Sequence, residues 1–88
     1  MKIKEGYIIK KLGTGYVVVT VGQASKDFNG MIRLNTPGAF LWQCINDGMD
    51  TKEKIVEAML ERYDDLNEKD AAADLDEFLD SISVALED

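Results

Sequence analysis

The apolar positions change period once along the chain, and the change divides it in two. Up to Leu34 they come in short runs of β-branched and aromatic residues, and beyond it they recur at intervals of three and four. Tyr7 to Leu12 (YIIKKL) and Tyr16 to Val21 (YVVVTV) predict two strands, with Gly13-Thr14-Gly15 supplying the permissive backbone of a hairpin loop. In the second strand Tyr16, Val18 and Thr20 share one face and Val17, Val19 and Val21 the other, and the all-valine face is expected to meet the core. Gly22 to Phe28 reads as a polar loop or irregular extension. Asn29-Gly30 is a turn signal that launches a third strand, Met31 to Leu34.

The helical half begins at Thr36-Pro37, an N-cap followed by proline at the first helical position, and predicts a helix from Pro37 to Asp47 closed by Gly48. Leu41, Trp42, Cys44 and Ile45 form its apolar face. Asp50 and Thr51 can both cap the next helix, in which Ile55, Val56, Met59, Leu60 and Tyr63 keep helical spacing. Asp64 to Asn67 breaks the pattern. A third helix, Glu68 to Leu86, puts Ala71, Ala72, Leu75, Phe78, Leu79, Ile82 and Leu86 on one stripe, with Asp70, Asp74, Glu77, Asp80 and Ser81 largely outside it. The expected fold is α+β: a three-stranded antiparallel sheet followed by three helices (βββααα), an order compatible with a winged helix-turn-helix.

Eighty-eight residues are enough for one modest core, so residues 1–88 are expected to form a single domain. No apolar run approaches the roughly 20 residues that span a bilayer, and the first residues lack the apolar core of a signal peptide, so a cytoplasmic location without membrane contact is expected. Charge is uneven. Residues 1–49 carry six Lys/Arg against three Asp/Glu (+3), whereas residues 50–88 carry four against fourteen (−10). An acidic helical half repels phosphates where a recognition helix would have to meet them, which argues against nucleic acid as a partner.

Catalytic constellations are missing from the sequence. Cys44 is the one cysteine and there is no histidine, so neither a Cys-His dyad nor a multi-thiolate zinc site can be assembled. The helical carboxylates lack the spacing of a calcium loop, and Gly13-Thr14-Gly15 precedes a strand where a phosphate cradle would precede a helix. A non-enzyme without metal or cofactor is expected.

The run Phe28-Asn29-Gly30-Met31-Ile32-Arg33-Leu34-Asn35-Thr36-Pro37-Gly38-Ala39-Phe40-Leu41-Trp42, the Ile55 to Tyr63 helix and the Asp74-Leu75-Asp76-Glu77-Phe78-Leu79 segment together resemble the PqqD-like family. These are winged-helix-like RiPP recognition elements that bind the leader of a ribosomally made precursor peptide. The resemblance spans nearly the whole chain, and its most specific part is Leu34-Asn35 followed by Gly38-Ala39-Phe40 and Trp42. Pro37 departs from the pattern, which more often has a small polar or acidic residue there.

The resemblance implies a chaperone that holds the leader and presents it to a tailoring enzyme, such as a radical-SAM enzyme or a leader peptidase. It places the leader against the third strand and third helix. Met31, Ile32, Arg33 and Leu34 would pair with it by strand addition, and Leu75, Phe78, Leu79 and Ile82 would line an apolar groove alongside, with at least two of those four shared with the core. Arg33, with Lys26 as a further candidate, would meet acidic leader residues. Phe40, Trp42 and Cys44 are read as core. Two alternatives stand beside this reading: a winged-helix DNA-binding regulator, weakened by the acidic helices, and an adaptor that docks only a protein partner through its acidic face. The unpaired third strand leaves both a monomer and an edge-strand dimer open.

Overall fold

The structure, a computed structural model, describes residues 1–87. Its elements run β1 (Lys2–Ile3), β2 (Tyr7–Leu12), β3 (Gly15–Thr20), α1 (Ala24–Asp27), β4 (Met31–Leu34), α2 (Thr36–Asn46), α3 (Lys52–Arg62), α4 (Glu68–Ser81) and β5 (Leu86–Glu87), with a 3₁₀ turn at Ser83–Ala85 before the last. The three expected strands form an antiparallel sheet in the order β2-β3-β4, and the three expected helices follow it. Added to this plan are the single turn of α1, inside the stretch expected to be irregular, and a two-stranded pairing of β1 with β5.

The register decides which side of the sheet is the core. Val18 pairs with Ile9 on one flank and Ile32 on the other, and it is fully buried. The helices therefore cover the face that carries Tyr7, Ile9, Tyr16, Val18, Thr20, Ile32 and Leu34. This corrects the expectation for the all-valine face: Val17, Val19 and Val21 lie on the outer side, where Val17 is buried between its cross-strand partners Lys10 and Arg33 but outside the main core cluster, and Val21 is 45% exposed beside Ile8 and Met31 at 41% and 52%. Alternation alone fits either face of β3, and the partner strands break the tie. At the end of β3 on this face, Thr20 donates from Oγ1 to the Phe28 carbonyl at 2.8 Å.

Trp42 of α2, Ile55 of α3 and Leu75 of α4 lie in the core at 1% exposure or less, so all three long helices contribute a fully buried side chain to it. Caps fix where each begins. Asn35, one residue earlier than the cap expected at Thr36, takes the extended backbone and accepts from the Gly38 N–H at 2.8 Å, leaving Pro37 in the first turn where its missing N–H costs nothing. Thr51 and Asn67 cap α3 and α4 through the Lys54 and Asp70 amides. Gly48, at φ +105°, ends α2 as expected: its N–H bonds the Ile45 carbonyl while the Met49 N–H reaches Cys44, the double closure of a Schellman motif.

The last helix stops at Ser81, five residues short of the expected end at Leu86. Ser81 Oγ donates to the Phe78 carbonyl at 2.7 Å, and the β-branched Ile82 and Val84 that follow are weak helix formers. The chain then turns through Ser83–Ala85 and lays Leu86 against Ile3, with Lys2 Nζ 3.2 Å from Glu87 Oε1. No helix among the described residues is long and apolar enough to cross a membrane.

Gly6, between β1 and β2, has φ +91°, and a Cβ there would fall 2.7 Å from the Ala24 Cβ and 2.9 Å from the Val21 carbonyl oxygen. Gly6→Ala is therefore expected to cost about 2–4 kcal/mol, backbone strain plus overpacking. Gly22→Ala, at φ +61° with nothing within 4 Å, should cost only about 1–2 kcal/mol of strain. Urea denaturation of the two variants checks the difference, and equal midpoints would show that the contact of residue 6 with α1 is not tight.

Candidate functional site

β4 is joined to the sheet by β3 alone, so one row of its backbone groups is unpaired. Beside it lies a depression of about 460 Å³ bounded by Arg33 and Leu34 of β4, by Asn35, Pro37, Gly38 and Leu41 at the start of α2, and by Asp74, Glu77, Phe78 and Ser81 of α4. The turn that caps α2 brings strand and helix into this relation. Gly38 suits it, since a Cβ there would crowd the capping oxygen Asn35 Oδ1 at 3.1 Å.

Of the eight residues singled out in the sequence, the structure brings Arg33, Leu34 and Phe78 together around this depression. Met31 is on the outer face of the sheet and Ile32 is half-buried on the inner one. Leu75 and Ile82 have no exposed surface and belong to the core, where they hold α4 against α2 and α3. Leu79 lies about 100° round the helix from Phe78, half-buried against the core and outside the depression. The residues on α4 that do face β4, Asp74, Glu77, Phe78 and Ser81, follow the i, i+3, i+4, i+7 pattern of a single helix face. That spacing is present in the sequence, but three of the four are polar and fall outside the apolar stripe expected of the helix.

The depression has an apolar floor and a charged rim. Leu41 is 5% exposed, Leu34 8% and Phe78 9%, so each shows only an edge. Arg33 stands on the strand side and Asp74 and Glu77 on the helix side, and all three are exposed. None of them enters the three ion pairs found among the described residues, which use Lys2, Lys52 and Lys54. The Lys52–Asp76 pair, 2.9 Å apart, links α3 to α4 and raises the lysine's pKa, while Lys54 lowers that of Asp50.

Cys44 points into the core, and burial, helped by the nearby Asp47 carboxylate, raises its thiol pKa and disfavours the reactive thiolate. Among the described residues no three His, Cys, Asp or Glu side chains cluster to hold a metal.

Residues 8–83 match the model of the family described as coenzyme PQQ synthesis protein D (PqqD). No curated protein matches the sequence. Among solved structures, that of TbiB1 in complex with the TbiA(beta) leader peptide is similar in fold, with a TM-score of 0.74 and 20% identity over 94% of this chain and 88% of that one.

The thiol gives a direct check on the core. At pH 8 Cys44 should react with a disulfide reagent at least a hundredfold more slowly in the folded protein than in 6 M guanidinium, because burial blocks access and the raised pKa lowers the thiolate fraction together. Reaction at the unfolded rate would place Cys44 outside the core.

Proposed function

The chain belongs to the PqqD family, and from that premise we propose that it binds the leader of a ribosomally synthesised precursor peptide without catalysis and presents it to a modifying enzyme. The observation that carries this reading is the unpaired edge of β4 lying alongside a groove with an apolar floor. A peptide added to that edge satisfies backbone groups that otherwise bond only water, and its alternate side chains reach the groove between β4 and α4. The backbone pairing is indifferent to sequence, so selection falls to the groove. The structural likeness to TbiB1, whose complex holds a leader peptide, supports the same assignment.

Side chains divide the work. Phe78, Leu34 and Leu41 receive an apolar leader residue, Arg33 faces an acidic one, and Asp74 with Glu77 favours a basic one across the groove. Met31 and Ile32 act through their backbone, and Leu75, Ile82 and Leu79 support α4 from behind. In the winged-helix-like plan that the family resemblance implies, the acidic helix α4 serves a peptide and not DNA. A radical-SAM enzyme or a leader peptidase is the class of partner that would receive the bound leader.

Calorimetry with a synthetic leader of the precursor encoded beside this chain tests the reading, and absence of binding at tens of micromolar overturns it. Phe78→Ala should weaken binding tenfold or more. Because truncating a buried Phe costs about 3–5 kcal/mol of stability, a thermal melt must first show the variant folded. Arg33→Glu, at an exposed site, should cost no more than about fivefold, as expected for a rim ion pair of under about 1 kcal/mol, and should flatten the salt dependence of binding. An unchanged salt slope removes Arg33 from the interface.

A further inference from the structure

The groove beside β4 does not end at Leu41. Pro37, Leu41 and Asp74 also bound a second depression, of about 550 Å³, at the corner where α3 turns into α4. Its apolar lining comes from Met59 and Leu41, both buried, and from the half-buried Tyr63 and Leu66. Tyr63 is held in place from two sides: the Phe40 ring meets it edge-on at 5.9 Å, and the Arg62 guanidinium lies 5.7 Å from its ring centre. A pre-formed apolar hollow of this size suits one large side chain and its neighbour.

Its rim is acidic. Asp64 and Asp65 stand on the turn and Asp74 on the ridge between the two depressions, against Arg62 alone. None of these carboxylates is within an ion pair among the described residues. The ridge itself is built from Pro37, exposed and with its φ fixed by the ring, so a peptide passing over it meets an apolar surface that does not shift.

We propose that this corner is a second subsite for the same leader, taking a large apolar side chain with an adjacent Lys or Arg from the part of the leader that lies past Leu34. The inference rests on the leader-binding reading and extends it. Continuity through three shared residues supplies the path, and the unpaired aspartates supply the charge that selects the basic neighbour. In an antiparallel addition to β4, that part of the leader is the segment N-terminal to the paired residues.

The test compares two synthetic peptides by calorimetry: the full leader of the precursor encoded beside this chain, and the same leader cut back to the segment that perturbs the β4 amides in ¹⁵N spectra. Leu66→Glu should weaken the full leader tenfold or more and leave the short one unchanged, whereas Arg33→Glu should affect both alike. Asp64→Asn with Asp65→Asn, a surface change that keeps the fold, should weaken the full leader about threefold and reduce its salt dependence. Equal affinities of the two peptides for the wild-type chain, or an unchanged full-leader affinity in the double Asn variant, overturn the subsite and leave the groove standing. Failure of both peptides to bind overturns groove and subsite together.

Discussion

The placement of Val18 is the constraint on which the remainder depends. It is fully buried and has Ile9 and Ile32 as its cross-strand partners, so covering it with the helices fixes the inner face of all three strands at once. Strand side chains alternate, and a slip of one residue would turn Arg33 into the core and Leu34 out of it. The chemistry of the β4 edge, one cation outward and one leucine toward α4, is thus a consequence of how a valine in the neighbouring strand is packed.

The same packing explains why α4 presents two unlike faces. Ala71, Leu75 and Ile82 have no exposure and close the core, and the helix is pressed to α3 by them and by the Lys52–Asp76 pair. What remains toward β4 is a face with one aromatic, Phe78, between carboxylates. The depression made this way is backed by Leu75 and Ile82, neither of which has exposed surface.

Much of the fold was legible in the sequence because its signals are local. The YIIKKL and YVVVTV runs, the Gly48 stop and the three- and four-residue spacing beyond Leu34 each report on a few neighbouring residues, and each element they predict is present. What was not legible depends on residues far apart. The inner face of β3 is chosen by Ile9 and Ile32, and the path of Leu86 and Glu87 after α4 by their pairing with β1. The candidate site shows the same limit. Phe78 could be found as part of an apolar stripe, but that it, and not Leu75 or Ile82, faces β4 follows from the crossing of α4 over the sheet. The polar partners Asp74, Glu77 and Ser81 resemble ordinary solvent positions until β4 is placed beside them.

The pairing of β1 with β5 has a mechanical meaning. Lys2 lies opposite Glu87, so both ends leave from the same end of a two-residue antiparallel ladder. Tension between them peels this clasp open one bond at a time and does not shear it. Behind the clasp are the Lys4 to Ala85 backbone bond and the turn that ends α4 next to Ser81. Tension between the two ends therefore falls first on this seam and on the contacts of β1 with α2, ahead of the three-stranded sheet.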